Sequence, residues 1–470
     1  MYQVFDKTEI LKIEKQTCKE TGCTISDLMN RAGVMVTKDL LKRVIKSRNQ
    51  RFLIVANTGN NGGDALVVYL ELKKLGFNVT LFCLGDVEKA HEAYMFYYNM
   101  LSKDEIFFGL EELETEINNY DLIVDGIFGY GLDRDVVSDY AKLIDIINNS
   151  KKEVYSIDIP SGINSNNGLV MNKAIKAKYT GVLGYYKLGN LLNDALDYHG
   201  NIEVLDIGLI EKKSNINYIL NEEVDLSKTR KHNSHKYDYG VYGYIGSSSL
   251  PGAINLSAYA GLKSGVGMVD VFYPQELVRF YPEIIYRNLK ELSVKRYDGF
   301  VFGPGITEQN NQYSNCLNEI IASKKKVVVD AFAISYLSPN NVYENIIITP
   351  HLKEFSRFIG HDTDLIKANP IKYLSSLKGI VTVLKGSTTF IAKDGLIYLL
   401  QAKNTGLAKA GSGDVLTGMI SGYLKDFNLF DAALKGVALH NLAANYAKEE
   451  FGESSMIASD IINAISKVLR

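Results

Sequence analysis

Residues 51–84 read RFLIVANTGNNGGDALVVYLELKKLGFNVTLFCL, and the fold turns on how they are parsed. The run Arg51–Asn57 is apolar without interruption and stops at polar residues, as a buried parallel strand does. The loop TGNNGGD follows, in which Gly59, Gly62 and Gly63 let backbone approach a ligand without a Cβ in the way. From Ala65 to Leu75 the residues Leu66, Val68, Leu70 and Leu72 keep apolar faces at helical spacing, and Gly76 closes the helix before a second strand, FNVTLFCL. The segment is therefore a βαβ unit whose helix N-terminus directs free N–H groups at whatever the loop holds, preferably an anion. The loop matches neither G-x-G-x-x-G nor G-x-x-x-x-G-K-[ST], so no standard nucleotide fingerprint is present. Standing alone it reads as an Asn/Gly turn with Asp64 as helix cap.

The same grammar continues outward. DLIVDG, EVYSIDIP, DGFVFGPG, KKVVVDA, NIIITP and GIVTVLKG are apolar runs ending in polar or glycine residues, and helical patterns lie between several of them. Both halves read as α/β with crossover helices. The stretch 211–236, EKKSNINYILNEEVDLSKTRKHNSHK, loses apolar periodicity and reads as a linker between domains spanning 1–212 and 225–470. Its His232 and His235 have no further ligand at a metal-binding spacing, so a solvated linker is the better reading.

Composition excludes several classes. The chain has 470 residues, with 52 Lys plus Arg against 54 Asp plus Glu, and gives no electrostatic footprint for a nucleic-acid or membrane-surface partner. At 46% hydrophobic and 23% charged residues it is an ordinary globular protein of two or three domains. The N-terminus has acidic residues and no apolar core, unlike a signal or transit peptide, and no apolar run is long enough to span a bilayer. Cys18, Cys23, Cys83 and Cys316 are scattered without zinc or redox spacing, as reduced thiols in a cytosolic chain would be. The expectation is a cytoplasmic homo-oligomer acting on small molecules.

Two later strands of the first half also end in oxygen-bearing residues: Asp125 in DLIVDGIFGYG, and Asp158 with Ser161 in SIDIPSG. Carboxyl ends of strands in an open parallel sheet share one edge, and ligands sit in the crevice there. Asn61, Asp125 and Ser161 are candidate hard oxygen ligands. One carboxylate with two neutral oxygens suits a weakly charged hard cation better than zinc or copper. Asp158 is left free for acid/base work. Taken singly, each acid reads as a strand-end cap or turn former.

GNNGGDA, DGIFGYG and DIPSG, preceded by ISDLMNRAG, together resemble the epimerase domain of the NAD(P)H-hydrate repair family. The resemblance implies a Rossmann-like three-layer α/β/α sandwich that interconverts the R and S epimers at C6 of hydrated NADH or NADPH (NADHX, NADPHX). It implies K+ held by Asn61, Asp125 and Ser161. Substrate contacts would be Asn60, Asn61, Gly62, Gly63 and Asp64, then Gly129, Tyr130, Gly131, Leu132, Asp133, Arg134 and Asp135, with Asp158 as contact and leading acid/base. The chain departs from the family at Ala65, where glycine usually follows NNGGD; a methyl there is expected to weaken activity if backbone approach is tight.

In the second half the strongest motif is NTGLAKAGSGDVLTGMISGYL, residues 404–424. Gly406, Gly411 and Gly413 open a loop, and the run from Val415 supplies a helix whose N–H groups point back into it, a nest for a transferring phosphoryl group. Asp414 stands where a carboxylate can accept a hydroxyl proton, and the helix dipole is expected to lower its pKa. Without further features the motif reads as a glycine turn capped by Asp. VTVLKGSTT adds Lys385, Gly386 and Ser387 as donors to a nucleotide, while VFGPGI and ITPHLKEF bring Gly303, Gly305 and His351 to strand ends. His351 alone reads as a turn histidine after Pro350. Upstream, a Gly/Ser loop enters a helix from Ala253.

AGSGDVLTG and ITPHLKEF resemble the dehydratase domain of the same family, from about Tyr237 onward. That resemblance implies a ribokinase-like α/β/α sandwich in which ADP or ATP, assisted by Mg2+, phosphorylates the C6 hydroxyl of the S epimer, and phosphate then leaves. Ala253, Gly305, His351 and Asp414 would meet the hydrated ring, with Asp414 catalytic. Lys385, Gly386, Ser387, Thr388 and Thr389, with Gly413, would meet the adenine nucleotide. The whole chain then reads as an isomerase joined to a lyase. The alternatives are a vitamin or small-alcohol kinase of the thiamine-precursor or pyridoxal type with a nucleotide-binding N-terminal module, and a first half that binds without turnover.

Overall fold

The computed structural model describes residues 1–102, 106–107 and 109–469. It divides into two compact units, residues 2–214, and Asn215–Arg470 together with Met1.

The first unit carries β1 (Tyr2–Phe5), β2 (Arg51–Asn57), β3 (Asn78–Leu84), β4 (Ile106–Phe107), β5 (Leu122–Gly126), β6 (Glu153–Ile157), β7 (Tyr179–Leu183), β8 (Tyr186–Lys187) and β9 (Asn201–Leu205). Seven of these form one parallel sheet in the order β4-β3-β2-β5-β6-β7-β9, and β1 pairs in parallel with β8. Side-chain alternation sorts β2 between two layers. Phe52, Ile54 and Ala56 pack with the helices Ile25–Asp39 and Asn60–Lys74, while Leu53 and Val55 pack with Leu113 and with Leu143, Ile144 and Ile147 of helix Ser138–Asn149. The result is the expected three-layer α/β/α sandwich. In register, Val55 lies opposite Asp125 and Asp125 opposite Ser156, so these strand ends form one rank.

One boundary differs from the sequence reading. The helix begins at Asn60 with Gly59 as its cap, not at Ala65 after a loop, and Asp64 is not the cap. Gly62 permits this: a Cβ there would stand 1.5 Å from the Asn57 carbonyl oxygen, so only glycine allows the helix to start so close to the strand end.

The second unit carries β10 (Ile216–Tyr218), β11 (Val241–Ile245), β12 (Met268–Tyr273), β13 (Ile285–Asn288), β14 (Gly299–Phe302), β15 (Lys326–Val329), β16 (Ile346–Ile348), β17 (Val381–Leu384), β18 (Thr388–Lys393) and β19 (Leu396–Gln401). Their order is β13-β12-β11-β14-β15-β16-β17-β18-β19-β10, with β18 antiparallel to both neighbours. Helices Pro251–Lys263, Ser412–Ser421, Leu429–Phe451 and Ala458–Val468 cover one face, packing Ile254, Met419, Val437 and Ile461 against Tyr244, Val271 and Val301. Helix Asn311–Ala322 covers the other, with Tyr313 edge-on to Phe302. The three-layer expectation holds here as well.

Inside the polar stretch 211–236, Ile216–Tyr218 pairs with β19 and buries Tyr218. Three strand residues among Lys, Asn and Ser are too few to show a period. All four cysteines are free, and Cys18 and Cys23, read as scattered, bring their sulfurs to 3.6 Å at the end of helix Lys7–Thr21. Among the described residues no helix is long and apolar enough to cross a membrane.

Candidate active sites of the two units

In the first unit the ends of β2 and β5 and the start of helix Asn60–Lys74 open onto a cavity of about 570 Å³. Asn60, Asn61, Asp64, Gly129, Tyr130, Gly131, Leu132, Asp133, Arg134 and Asp158 line it. Gly62 and Gly63 are buried behind the wall, Gly63 against Met29, and Asp135 is exposed outside it.

Asp158 has φ 68°, a left-handed backbone that non-glycine residues adopt only when their surroundings enforce it. Its N–H donates to the Gly181 carbonyl at 2.8 Å, and its Oδ1 accepts the Leu183 N–H at 3.1 Å. The same oxygen is ion-paired with Lys187 Nζ, which also donates to the Leu183 carbonyl at 2.8 Å. Both side chains are almost fully buried. Oδ2 has no protein partner, so one oxygen of Asp158 is fixed and the other is free. Two further acids share this cavity. Burial, reinforced by Asp158 and Glu14, raises the pKa of Asp64 well above its ordinary value, with Lys187 opposing. Burial also raises Glu14, against the Tyr130 hydroxyl that donates to it at 2.7 Å. One cavity thus holds a carboxyl with an open oxygen and an acid whose protonated form burial favours.

Of the candidate cation ligands, Asn61 lines the cavity, while Asp125 and Ser161 fall behind its wall. Asp125 is fully buried and accepts the Ser156 hydroxyl at 2.8 Å, the Ser161 N–H at 2.9 Å, the Ser161 hydroxyl at 2.5 Å and the Ile127 N–H at 3.2 Å. The Ser161 hydroxyl oxygen accepts the Phe128 N–H at 2.8 Å. Asn61 packs beside Gly129, where a Cβ would lie 3.0 Å from its Oδ1, and its Nδ2 is buried without a partner. The fold thus joins Asp125 to Ser161 directly and sets Asn61 along the loop that Ser161 anchors. Ala65 is fully buried and does not line the cavity; a Cβ on Gly126 would meet its methyl at 2.4 Å. Its methyl fills the space that the glycine of β5 leaves.

In the second unit Asp414 lies in the first turn of helix Ser412–Ser421, capped by Gly411 at φ 91°. Its pKa is pushed up to about 7, by burial first and then by Asp330 and Glu354 against Lys385. The lowering expected from the helix dipole is overturned, because desolvation in the cleft outweighs a partial charge. Lys385 follows β17, and its N–H donates to the Pro350 carbonyl at 2.8 Å, which sets it beside His351. Burial works against its ammonium, but Asp330 and Glu354 more than offset this and its pKa is raised. A Cβ on Gly413 would lie 3.2 Å from Lys385 Nζ, so lysine and glycine loop face each other. Gly305, at φ 82°, brings its Cα to the Leu250 carbonyl and Ala253, where a Cβ would stand at 2.5 and 3.5 Å.

His351 caps helix Leu352–Ile359: its Nδ1 accepts the N–H groups of Lys353 and Glu354 at 3.2 and 3.3 Å, and its ring is half exposed. Gly386 and Ser387 are exposed in the turn after β17. Thr389 is half-buried in β18, while Thr388 is buried there and accepts from Gln401 Nε2 at 3.0 Å, turned into the sheet.

Sequence reasoning missed Lys187, Glu14, Asp330 and His440. His440 Nε2 lies 3.1 Å from the Ser412 carbonyl beneath the glycine loop, and burial lowers its pKa to about 4, keeping it neutral. Asp330 ends the strand run VVVD, so the rule that selected Asp125 and Asp158 would have selected it too. Lys187 is the lone charge in the run GVLGYYKLGNLL, a burial signal in itself.

Two α/β units, each gathering acids and a lysine at the carboxyl edge of its sheet, define an enzyme with two separate sites. Residues 25–189 match the family described as YjeF-related protein N-terminus, and residues 244–467 the family described as NAD(P)H-hydrate dehydratase. The chain is 30% identical to the bifunctional NAD(P)H-hydrate repair enzyme Nnr of Dictyoglomus turgidum, over 98% of this chain and 98% of that protein. It is 29% identical to that of Escherichia coli K12, over 100% of this chain and 94% of that protein. Among solved structures, the ADP/ATP-dependent NAD(P)H-hydrate dehydratase of Bacillus subtilis, co-crystallized with ATP/Mg2+, is 27% identical over 54% of this chain and 98% of that one, with a TM-score of 0.48. The chain belongs to the bifunctional NAD(P)H-hydrate repair enzyme family. Relatives that match both units end to end do not favour the vitamin-kinase alternative.

Proposed function

We propose that the first unit interconverts the R and S epimers of hydrated NADH and NADPH, and that the second dehydrates the S epimer at the expense of ADP or ATP. C6 of the hydrate carries both a hydroxyl and the ring nitrogen, so inversion requires the hydroxyl to leave and water to return on the other face. Asp64, whose protonated form burial favours, gives its proton to the departing hydroxyl while the nitrogen lone pair expels water. The free Oδ2 of Asp158 takes a proton from the water that adds back, and Lys187 holds the other oxygen. Solvent returns the proton from Asp158 to Asp64.

The oxygens of Asn61, Asp125 and Ser161, one carboxylate among neutral groups, fit a hard monovalent cation in kind. K+ held there would supply a fixed positive charge against an anionic substrate. Replacing K+ by tetramethylammonium is expected to slow epimerisation and leave dehydration unchanged.

In the second unit Asp414 takes the proton of the C6 hydroxyl as its oxygen attacks the terminal phosphorus of the nucleotide, and the bond to AMP or ADP breaks. Phosphate then leaves C6 with the bonding pair, a proton leaves C5, and the dihydronicotinamide is restored. Lys385 and the N–H groups at Gly413 take up charge on the phosphoryl oxygens. Among the described residues no three His, Cys, Asp or Glu gather for a metal. Mg2+ would enter with the nucleotide, on its phosphates, and neutralise their charge.

What supports the reading most is Asp414, held in the first turn of a glycine-capped helix whose Gly413 faces Lys385, with its pKa pushed up to about 7, matched to take a hydroxyl proton near neutral pH. The test is return of NADH absorbance from mixed NADHX epimers with Mg2+, K+ and either ADP or ATP; the chain has 0 Trp, which keeps its own near-ultraviolet background low. Recovery past the S fraction, faster than spontaneous epimerisation, supports both activities and identifies the donor. A halt at the S fraction removes the epimerase, and no recovery removes the dehydratase. The reading also takes the protein as a cytoplasmic homo-oligomer, which light scattering on the purified chain checks for assembly.

A further inference from the structure

Asp330 follows β15 at the sheet edge and is almost fully buried. Its carboxylate is divided between two partners: Oδ1 takes Lys385 Nζ at 2.9 Å, and Oδ2 takes the Thr417 hydroxyl at 3.1 Å. Thr417 sits three residues beyond Asp414 on the same helix, and its hydroxyl also lies 2.9 Å from the Gly413 carbonyl. The backbone of Asp330 is pinned as well. Its N–H donates to the Phe302 carbonyl at 2.9 Å, and its own carbonyl oxygen lies 2.0 Å from where a Cβ on Gly303, at φ 123°, would stand. The carboxylate therefore has little freedom, and whatever it grips is held to β14 and β15.

We propose that Asp330 is a positioning residue that holds Lys385 and the first turn carrying Asp414 to one fixed point, so that the cation facing the nucleotide and the base facing the hydroxyl keep their mutual geometry. The inference rests on reading this unit as a phosphoryl-transfer site. It assigns Asp330 no contact with substrate. Its charge also acts on Asp414. The groups facing that carboxylate are Asp330 after β15, Lys385 after β17 and Glu354 on helix Leu352–Ile359, while His440 below the loop is neutral. Removing the Asp330 charge takes away one of two negative neighbours, so Asp414 ionises at lower pH.

The full chain carrying Asp330→Asn, Asp330→Glu or Thr417→Val is assayed for dehydration across pH, with epimerisation and urea midpoint as internal controls. Asp330→Asn is expected to lower kcat and raise the nucleotide KM, for a loss in kcat/KM of about 100-fold, the size that a 1 Å misplacement produces. The acidic limb of its pH profile is expected to fall by about one unit. Asp330→Glu keeps the charge and returns the limb to its wild-type position. Thr417→Val lowers kcat with the limb unmoved, because it removes a tether and no charge, and it decides the matter if Asp330→Asn fails to fold. Wild-type kcat, KM and limb in Asp330→Asn, or wild-type kcat in Thr417→Val, overturns the inference. An unmutated chain that does not dehydrate NADHX overturns the underlying reading instead, so the two failures are distinguishable.

Discussion

Replacing Asp414 by Asn removes the proposed base and is expected to abolish dehydration while leaving epimerisation intact, and it should also stabilise the second unit in a pH-dependent way. The wild-type carboxyl titrates at about 7 when folded against an ordinary value of 3.8. A raised acid costs nothing below its unfolded pKa and loses stability as pH rises toward the folded one, so the window is pH 4 to 7. The full difference of about three units corresponds to about 4 kcal/mol as an upper limit. Between pH 5 and pH 8 the same linkage leaves about 2.5 kcal/mol, which solvent screening of a partly exposed side chain trims to about 1–2 kcal/mol. Asn matches the protonated acid in shape and carries no such cost. Urea denaturation read by hydrogen exchange of peptides from residues 215–469 isolates this unit. Asp414→Asn should gain on wild type by that amount from pH 5 to pH 8. An equal gain at both pH values, or a loss at pH 8, would refute the argument that burial sets the ionisation of this base.

Lys187→Met leaves Asp158 buried without its cation and is expected to abolish epimerisation and destabilise the first unit by about 3–5 kcal/mol. The double variant with Asp158→Asn should recover much of that stability and none of the activity; a single variant as stable as wild type sinks the ion-pair argument. Ala65→Gly should leave epimerisation within about twofold of wild type and cost the first unit about 1 kcal/mol, since glycine is a poor helix residue and the methyl fills the space at Gly126. A tenfold rise in epimerisation would instead mean that the methyl obstructs the site.

The strand grammar and the acids at strand ends were legible because parallel strands buried on both faces are apolar throughout and must end in polar residues. Asp125 and Asp158 fall at such ends, and Asp414 in the helix turn that follows a glycine loop. What the sequence could not carry was partnership across the fold. Lys187 follows Asp158 by 29 residues and Lys385 follows Asp330 by 55, and a linear pattern assigns neither pair. The Asp414 shift runs opposite to the dipole expectation for a related reason. A helix dipole can be inferred from local sequence, whereas desolvation depends on what other strands bring to the cleft. The helix start at Asn60 was missed because NNGGD is rich in residues that favour loops, and only the 1.5 Å approach to the Asn57 carbonyl shows why the second glycine is needed.

The two sites use a lysine in opposite ways, and the chemistry assigned to each follows from that. In the first unit Lys187 grips the base itself: one oxygen of Asp158 is bound by an ammonium and the other is free, so proton donation falls to a different group, the desolvated Asp64. In the second unit Lys385 is bound to Asp330, and Asp414 is left with burial and two acid neighbours but no direct cation. That arrangement holds Asp414 near the pH at which a base can take a proton and later release it. It also leaves Lys385 with donors for a nucleotide, since Asp330 accepts only one of its three N–H groups. A lysine moved onto Asp414 would lower its pKa and weaken it as a base. On the proposed reading the indirect path through Asp330 sets both the lysine and the base, and the pH limb of Asp330→Asn is the measurement that separates this from a mere packing contact.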